Sequence, residues 1–482
     1  MVKHKPTIGL EIHVELKTKT KMFCDCLNDP SERRPNVNVC PICTAQPGSL
    51  PKINKQAVES VIKTGLALNC RVNEKSWFER KNYFYPDLPK GYQISQYEAP
   101  LCKDGYLKIG PSAGGKKIKI RRVHLEEDTG RLIHDQDKDT SLVDFNRAGM
   151  PLMELVTEPD IDSAIEARKF SQELQLILRY LGISDADMEK GQMRVEANIS
   201  LDMGTKVEVK NLNSFRSVER AIDFEIMRQK EVLENREKVV HETRGWSDEK
   251  QQTFSQRIKE TSEDYRYFPE PDLPPLNILA EDIERLGAEI PELPAARRER
   301  IKKEYKITDA SMETLVSYKE LGDFFEDAVS ELKAWFESGK IKTDLDKLIK
   351  LSANYIITEF PKYVTVTGEI KITPENFAEL IYLTFLGEIS SSGAQEVLKE
   401  MFMTGGDPSQ IIESKNLKQV NDGEELDSAV KNVIKNNPQA IEDYKKGKDT
   451  ALQFLIGQVM RETKGKANPE TASKILKKKI KK

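Results

Sequence analysis

The stretch TIGLEIHVEL, residues 7–16, points to the fold because apolar and polar positions alternate along it. Five aliphatic residues, from Ile8 to Leu16, occupy every second position, and Glu11, His13 and Glu15 stand between them. Successive side chains of a β-strand point to opposite faces. The stretch therefore predicts a strand with one face on a hydrophobic core and one polar face.

The same pattern recurs in RRVHLEED (residues 121–128), RVEANIS (194–200) and KVEVKN (206–211). Each stretch places a carboxylate on the face opposite its apolar residues. If the four strands are neighbours, their polar side chains converge on a concave floor whose oxygen-rich donor set suits Mg²⁺ or Mn²⁺. The residues of that floor are Glu11, His13, Glu126, Glu196 and Glu208. The alternative is an ordinary antiparallel sheet that shows its polar side chains to water.

The periodicity divides the chain into three parts and predicts an α+β fold. From residue 7 to about 290, alternating segments separated by Gly, Pro and Asn indicate a largely antiparallel sheet with a few packed helices. One such helix begins at a capping box, Ser163 and Glu166, and ends at Gly182; another is expected over about 218–233. Helical periodicity dominates afterwards, interrupted by the turn-rich MTGGDPSQ, residues 403–410. We therefore expect a sheet domain (1–291), a helical domain (292–405) and a helical tail (406–482).

FCDCLNDPSERRPNVNVCPIC, residues 23–43, contains four of the six cysteines. A chain of 482 residues does not need disulfides for want of a core. Neither an apolar segment long enough for a membrane span nor a signal peptide is evident, so we expect a cytoplasmic protein that does not bind membranes. In a reducing compartment, CxC and CxxC pairs indicate four thiolates around one tetrahedral zinc.

The predicted zinc ligands are Cys24, Cys26, Cys40 and Cys43. Because four thiolates fill a tetrahedral shell, such a site is structural and leaves no open position for catalysis. The alternative is a set of free or redox-active thiols.

Charge is distributed unevenly along the chain. Although 75 basic residues nearly balance 79 acidic ones, the segment from Asp407 onwards has 16 basic against 11 acidic residues. Its last 22 residues, from Arg461, contain nine basic and two acidic residues. This footprint suits nucleic-acid phosphates, although a solvated basic terminus explains the charge equally well.

Two segments combine aromatic residues with prolines: ERKNYFYPDLPKGYQISQ (residues 79–96) and DYRYFPEPDLPPL (264–276). Proline fixes the backbone and the aromatic rings supply flat surfaces, which together can shape a pocket for a base or ribose. Rigid loops that close the edge of the sheet are the alternative. The glycine-rich GPSAGGKK, residues 110–117, lacks the Ser or Thr of a phosphate-binding loop and lies between two alternating segments, so we interpret it as a hairpin loop.

Several strings together resemble one family, the GatB family, whose members are the B subunits of the GatCAB glutamyl/aspartyl-tRNA amidotransferases. The similarity runs along the whole chain. The strings, in chain order, are GLEIHVEL, CPIC, RKNYFYPDLPKGYQISQ, HLEED, DFNRAGMPLMEL, EVKNLNSF, ETRGW, DYRYFPEPDLPPL and FLIGQVMRETKGKANP.

The resemblance implies that the chain is the transamidase component of such a complex. Members of this family bind misacylated Glu-tRNA(Gln) or Asp-tRNA(Asn) and use ATP and Mg²⁺ to phosphorylate the side-chain carboxylate. Ammonia, released from glutamine in the partner GatA protein and channelled to the GatB protein, then displaces the phosphate. The GatC protein completes the heterotrimer, and a non-discriminating aminoacyl-tRNA synthetase is a further partner that the resemblance suggests.

The resemblance also assigns roles within this sequence. It implies catalytic roles for Glu11, His13, Glu126 and Glu127, with Glu127 as the candidate gate of the ammonia channel because it faces away from Glu126. The expected magnesium ligands are the floor residues given by the strand pattern, Glu11, His13, Glu126, Glu196 and Glu208, of which the resemblance matches Glu11, His13 and Glu126 to metal or channel-mouth positions of the family. Glu196 stands in MRVEAN where the family usually has Asp, so a carboxylate is kept with one more methylene.

Lys81, Tyr83 and Tyr85 are assigned to ATP and the adjoining passage. In the family's terms, residues 1–291 form a cradle domain, and the tail is a YqeY-like domain that contacts tRNA. The candidate tRNA-binding residues are Lys464, Lys466, Lys477, Lys478 and Lys479.

Two other functions compete with this one. The first is a zinc-containing tRNA-binding protein without catalytic activity, in which Glu11→Gln would leave ATP-dependent turnover of the complex intact. The second is an independent metallohydrolase that uses the same polar floor and would act without ATP or partner proteins.

Overall fold

The computed structural model describes residues 4–110, 115–135, 140–258, 262–367, 369–419, 423–463, 467 and 469–480. The chain divides after Ala295 into two compact units. The first unit contains the strands and four α-helices, and the second is helical. The predicted α+β class is confirmed.

The first unit is built on one large sheet and three smaller pairings. Its strands are β1 (Pro6–Glu15), β2 (Arg71–Val72), β3 (Lys75–Ser76), β4 (Glu79–Asn82), β5 (Tyr92–Ser95), β6 (Cys102–Ile109), β7 (Lys116–Glu127), β8 (Arg131–Asp135), β9 (Thr140–Asp144), β10 (Pro151–Thr157), β11 (Met193–Leu201), β12 (Val207–Leu212), β13 (Glu242–Ser247), β14 (Gln252–Ile258), β15 (Phe268–Pro269) and β16 (Leu276–Asn277). Its helices are α1 (Lys55–Ala67), α2 (Ala164–Tyr180), α3 (Phe215–Glu234) and α4 (Ala280–Ala288), with a 3₁₀ turn at Ser262–Tyr265.

Among the described residues, nine strands form the large sheet in the order β14-β13-β12-β11-β1-β10-β7-β6-β2. Neighbouring strands are antiparallel except β12 and β13, which run parallel. A parallel pair needs a long crossover, and α3 supplies it. β1 therefore lies in the middle of the sheet, between β10 and β11.

The apolar face of the sheet packs on the helices. Ile8, Leu10, Ile12 and Val14 of β1 are fully or almost fully buried in a core that includes residues of α1, α2 and α3. The alternation predicted for residues 7–16 is thus present, and the opposite face carries the polar side chains.

Helix α2 matches its predicted signals. The Ser163 side chain accepts a hydrogen bond from the backbone N–H of Glu166, and Gly182 follows the helix with a left-handed φ of 67°. The other helix expected in this domain is α3, which covers the anticipated range.

Among its described residues, the second unit consists of helices apart from one isolated β-bridge between Ile389 and Lys418. The helices are α5 (Pro294–Tyr305), α6 (Asp309–Ser317), α7 (Lys319–Glu337), α8 (Leu345–Thr367), α9 (Pro374–Phe385), α10 (Ser391–Thr404), α11 (Pro408–Ser414), α12 (Gly423–Asn436), α13 (Pro438–Lys445), α14 (Asp449–Glu462) and α15 (Pro469–Ile480). In the described part of the chain, no helix is both long enough and apolar enough to cross a bilayer.

The tail has its own small core, in which Leu426, Val430, Leu455, Val459 and Leu476 are buried. Helix α11 belongs with the helices before it: Ser409 Oγ donates to Glu379 on α9. The backbone N–H of Gln419 likewise donates to the carbonyl of Glu388. We therefore propose that the boundary between the helical domain and the tail lies near residue 420, whereas the sequence suggested 405/406.

Candidate functional site

Three polar side chains meet across three adjacent strands on the polar face of the large sheet, where they are largely buried. His13 on β1 is the direct partner of Glu154 on β10, and Glu154 is the direct partner of His124 on β7. Directly opposed residues share a face of the sheet. Nε2 of His13 and Nε2 of His124 each lie 3.5 Å from Oε2 of Glu154.

Two more carboxylates complete this group. His13 Nε2 lies 3.7 Å from Oε1 of Glu126 and 3.9 Å from Oε1 of Glu11. These side chains form two overlapping groups of three that share Glu154: ligand atoms of Glu11, His13 and Glu154 lie within 4.8 Å of one another, as do those of His124, Glu126 and Glu154. We call Glu11, His13, His124, Glu126 and Glu154 the carboxylate centre.

Burial and mutual repulsion shape the charges of the carboxylate centre. Burial, reinforced by Glu154, raises the pKa of Glu126, and burial together with Glu154 and Glu196 raises the pKa of Glu11 to about 7. Both carboxyl groups are therefore easier to protonate than an ordinary glutamate, and a bound cation would favour their charged forms.

The histidines of the centre differ. Burial opposes charge on His13, but its hydrogen bond to Glu154 and the carboxylate of Glu126 outweigh that penalty and raise the pKa of His13 to about 9. Burial lowers the pKa of His124 to about 3, so this imidazole is neutral. Burial also opposes charge on Glu154, yet its hydrogen bond with the charged His13 and the nearby Lys81 ammonium hold the pKa of Glu154 well below its usual value.

The donor set fits a divalent cation. Carboxylate oxygens with imidazole nitrogens suit Mg²⁺ or Mn²⁺, and burial together with neighbouring carboxylates raises the pKa values of Glu11 and Glu126, which a bound cation would counteract. Nδ1 of His124 is buried and has no hydrogen-bond partner among the described residues. The structure thus brings together Glu11, His13 and Glu126 of the predicted floor.

Glu196 and Glu208 lie beside this centre, and the ammonium group of Lys210 lies close to both. Lys210 Nζ is 2.7 Å from Oε2 of Glu196 and 3.9 Å from Oε2 of Glu208. Burial opposes charge on Lys210, but Glu196 and Glu208 more than compensate and raise its pKa. The predicted floor therefore divides into two parts that share Glu11, because ligand atoms of Glu11, Glu196 and Glu208 also lie within 4.8 Å.

A wall of tyrosines and Lys81 stands over the carboxylate centre. Burial opposes charge on Lys81, yet Glu126, Tyr267 and Glu154 keep its pKa well above the usual value. The Lys81 ammonium lies 5.1 Å from the ring centre of Tyr265. Tyr83 packs edge-on against the same ring at 6.0 Å.

The two proline and aromatic segments meet to build this wall. Strand β15 pairs with β4, with Phe268 opposite Arg80. Arg80 makes two hydrogen bonds, of 2.7 and 2.9 Å, to the buried carboxylate of Glu270. Tyr85, by contrast, is 59 % exposed. Of the predicted nucleotide-binding residues, Lys81 and Tyr83 thus face the centre, whereas Tyr85 lies at the surface.

Glu127 lies on the side opposite Glu126. Its Oε2 is 2.6 Å from Lys90 Nζ, and its Oε1 accepts a hydrogen bond from the backbone N–H of Ile94. Glu126 instead accepts a hydrogen bond of 3.1 Å from Ser95 Oγ. The residues that line a cavity of about 280 Å³ include Glu127, Lys90 and Cys43.

The four predicted zinc ligands form one cluster. A sulfur atom of each cysteine lies within 4.8 Å of the others, and all six cysteines of the chain are unpaired. Hydrogen bonding from Cys24 lowers the pKa of Cys43 to about 5, so a thiolate is already favoured there. Four cysteine sulfurs at this separation can bind a metal ion, and their chemistry is that of a zinc site.

The tail lysines differ in their environments. Lys477 and Lys478 on α15 are exposed, whereas Lys479 Nζ is 2.5 Å from Asp427 Oδ2 on α12. Lys464 and Lys466 lie outside the described residues. Their assignment to tRNA, like that of the other three lysines, stays a prediction.

Sequence reasoning missed Glu154, Lys210, Tyr265 and Tyr267 as individual site residues. The only available signal for Glu154 was its place as the one charged residue in PLMELVT, residues 151–157. Lys210 follows Glu208 by two positions, which puts both on one face of β12.

Comparison with known proteins gives two matching families. The family described as the GatB/GatE catalytic domain matches residues 6–284, and the family described as the GatB domain matches residues 336–480. The chain is 48 % identical over 492 residues to the B subunit of the aspartyl/glutamyl-tRNA(Asn/Gln) amidotransferase of Thermotoga maritima, covering 99 % of each chain. It is 46 % identical to the corresponding protein of Caldicellulosiruptor saccharolyticus over the full length of both, and 48 % identical to that of Persephonella marina over 98 % of each.

Proposed function

The chain belongs to the GatB family of tRNA-dependent amidotransferase subunits, and we propose that its carboxylate centre activates the side-chain carboxylate of an aminoacyl-tRNA. The substrates proposed are Glu-tRNA(Gln), Asp-tRNA(Asn) or both, with ATP as phosphoryl donor and ammonia as nucleophile. The observation that carries this proposal is the convergence of Glu11, His13, Glu126 and Glu154 beneath Lys81.

A carboxylate is a poor electrophile, and phosphorylation converts it into a good one. In the proposed reaction, a substrate carboxylate oxygen attacks the γ-phosphorus of ATP, and ADP leaves. The nitrogen of ammonia then attacks the acyl carbon, inorganic phosphate leaves, and the nitrogen loses a proton as the amide forms. Both steps need neutralisation of phosphate charge and exclusion of water.

The residues of the centre have distinct proposed roles. Two overlapping sets would hold a magnesium ion, namely His124, Glu126 and Glu154, or Glu11, Glu154 and a His13 that has lost its proton; when bound, the ion neutralises charge on the phosphates. Lys81 directs an ammonium at the same space and would bind phosphate oxygens. The tyrosines around Lys81 limit the access of water. Glu11 lies outside the set of His124, Glu126 and Glu154, so with the ion bound there its carboxylate can accept the proton that the attacking ammonia loses.

We propose further that ammonia arrives from the side of Glu127. The Glu127 carboxylate and the Lys90 ammonium form a closed ion pair at a cavity, on the opposite side of β7 from Glu126. Such a pair can open and close a polar passage, which fits a channel gate. The ammonia would come from glutamine hydrolysed by a partner GatA protein, in a complex that also contains a GatC protein.

The cysteine cluster is proposed to bind structural zinc. The loop containing it is fixed to the segment before β10, because the backbone N–H of Met22 donates to the carbonyl of Gly149 and Lys21 Nζ donates to the carbonyl of Phe145. Zinc would therefore stabilise the rim of the cavity that Glu127 lines.

The tail is proposed to bind tRNA phosphates through Lys477 and Lys478, which are exposed. Because aminoacyl-tRNA is a cytoplasmic substrate, we place the protein in the cytoplasm. The synthetase that forms the misacylated tRNA is a further proposed partner.

The experiment that tests the function reconstitutes the chain with its GatA and GatC partners. Conversion of Glu-tRNA(Gln) to Gln-tRNA(Gln) is expected only when ATP, Mg²⁺ and glutamine are all present, with one ADP formed per amide. Turnover without ATP would exclude the phosphorylation mechanism. Unchanged ATP-dependent turnover in Glu11→Gln would favour the alternative of a tRNA-binding protein without catalytic activity.

A further inference from the structure

Lys210 occupies a pocket that would otherwise be a second metal site. Ligand oxygens of Glu11, Glu196 and Glu208 lie close enough together to hold an ion. Lys210 Nζ, however, already lies 2.7 Å from Glu196 and 3.9 Å from Glu208. Three carboxylates grouped in this way favour a nearby cation, and here that cation is the ammonium group of Lys210.

The backbone around Lys210 holds that ammonium in place. The register between β11 and β12 shifts at this point, and Asn211 adopts a left-handed φ of 66°. The side chain of Asn211 donates to the carbonyl of Trp246 on β13, which secures the bulge. Glu208 is itself fixed, because Thr243 Oγ1 donates to its Oε2 at 2.7 Å.

We infer that Lys210 is the permanent cation of this pocket and that it limits the sheet to one divalent ion, bound at the neighbouring carboxylate centre. A divalent ion in the second pocket would have to break the short contact between Lys210 and Glu196 and to lie beside an ammonium of the same sign. Glu196 and Glu208 accordingly position Lys210, and this inference replaces their predicted role as magnesium ligands.

For the reaction, the consequence is that the fixed positive charge of the Lys210 ammonium lies beside the exchangeable charge of the divalent ion. An ammonium on a strand cannot dissociate, so it neutralises Glu196 and Glu208 whether or not metal and ATP are bound. Glu11, shared by both groups, is left to the carboxylate centre. The inference rests on the proposed metal site, but it concerns metal binding alone and does not require the amidation reaction.

The test is a titration of the zinc-loaded, magnesium-free protein with Mn²⁺, read by electron paramagnetic resonance of the free ion and by calorimetry. One tight Mn²⁺ per chain is expected for the wild type. Lys210→Met removes the ammonium without adding an oxygen ligand and should bind two Mn²⁺ ions per chain. The affinity for the second ion should be at least about tenfold higher than that of any weak additional binding in the wild type. Lys210→Arg should bind one.

The matched control is Lys116→Met. Lys116 also bridges two carboxylates, at 2.9 Å from Asp162 and 2.7 Å from Glu166, and its side chain is 33 % exposed, against 32 % for Lys210. Among the residues that the structure describes, Asp162 and Glu166 belong to no group of three possible metal ligands, so this variant should still bind one Mn²⁺.

The number of Mn²⁺ ions bound by each protein decides whether Lys210 excludes a second ion. Two tight ions in the wild type, or one in a folded Lys210→Met, would overturn the role of Lys210. If Lys210→Met does not fold, the wild-type stoichiometry and that of Lys210→Arg still decide, since two ions in either protein contradict the inference. Absence of any Mn²⁺ binding would overturn the metal site itself together with this inference, whereas loss of amidation with one bound ion would concern only the proposed function.

Discussion

His13 and Glu154 are direct partners on β1 and β10, with Nε2 and Oε2 3.5 Å apart. The pairing joins β1, which the alternating sequence pattern predicted, to β10, whose one carboxylate was not predicted from the sequence. Glu154 also lies 3.5 Å from His124, so it connects three strands of the sheet. The charge of the whole carboxylate centre therefore depends on this one residue.

Replacement of Glu154 by Gln should release His13 from its main hydrogen-bond partner. We expect the pKa of His13 to fall from about 9 towards its ordinary value near 6.5, and amidation to fall by a factor of about 100 or more. Nuclear magnetic resonance titration of the imidazole and single-turnover amidation measure the two effects. Glu158→Gln, which removes a partly exposed carboxylate paired with Arg121, is the control. A His13 pKa that stays near 9 in Glu154→Gln would contradict the assignment.

Stability of the magnesium-free protein should fall as the pH rises through the titration of His13. The imidazole is protonated up to about pH 9 in the folded protein but only to about 6.5 in the unfolded chain. Its contribution is thus complete below pH 6.5 and is lost between 6.5 and 9. We expect the free energy of unfolding to fall by about 1–3 kcal/mol more over this window in the wild type than in His13→Gln.

Urea unfolding followed by tryptophan fluorescence at several pH values measures this difference. Glu11 has the same sign at lower pH, because its folded pKa of about 7 lies above its ordinary value of 4.5. Its contribution is therefore lost between pH 4.5 and 7, mostly below the window assigned to His13. Parallel curves for wild type and His13→Gln above pH 6.5 would show that His13 is not charged in the folded state.

The cysteine cluster should bind zinc and support the first unit. Replacement of both Cys40 and Cys43 by Ser is expected to abolish zinc binding and to lower the melting temperature of this unit by several degrees. Elemental analysis and calorimetry test both effects. Cys70→Ser is the matched control, since Cys70 is buried but lies outside the cluster and should keep one zinc per chain. A zinc-free variant of full stability and activity would show that the cluster is dispensable.

Arg80→Ala should detach the second aromatic segment from the first. It leaves the carboxylate of Glu270, whose side chain is 0 % exposed, without its charged partner, so we expect a loss of about 3–5 kcal/mol. Arg121→Ala removes a similar two-point pair with Glu158 at the surface and should cost less than about 1 kcal/mol. Equal losses of unfolding free energy in the two variants would argue against a structural role for the buried pair.

The tail lysines should separate into phosphate contacts and an internal ion pair. Replacement of both Lys477 and Lys478 by Ala is expected to weaken tRNA binding and to reduce the slope of log K against log salt concentration by about 1.4–1.8. Lys479→Ala should leave that slope nearly unchanged, because Asp427 already neutralises Lys479. Filter binding over a range of salt concentrations distinguishes the two; equal slopes in both variants would contradict the division.

Local signals in the sequence were sufficient for much of the first unit. Strand β1 follows from strict alternation, and α2 follows from a cap at Ser163 and a stop at Gly182, because both patterns depend on neighbouring residues. The parallel pairing of β12 with β13 was not predicted, since it depends on how α3 returns the chain.

The site was only partly predictable for the same reason. Glu11, His13 and Glu126 lie on strands in which apolar and polar residues alternate. Glu154 lies in PLMELVT, where apolar residues occupy both faces of the strand and give no sign of a polar site. The pairing of β4 with β15 joins residues about 190 positions apart, which no local pattern encodes. Lys210 was visible as a polar residue, but its role depends on carboxylates from β1 and β11.

The central position of β1 also affects how the protein is made. Residues 16–150 separate this strand from β10, and β11 follows later still. At a synthesis rate of about 5–20 residues per second, on the order of ten seconds pass between the synthesis of β1 and that of β10, its first partner strand in the sheet. During that interval the nascent chain exposes an unpaired strand with Ile8, Leu10, Ile12 and Val14 on one side. The strand order thus leaves this apolar segment without a sheet partner during synthesis, long before any substrate is bound.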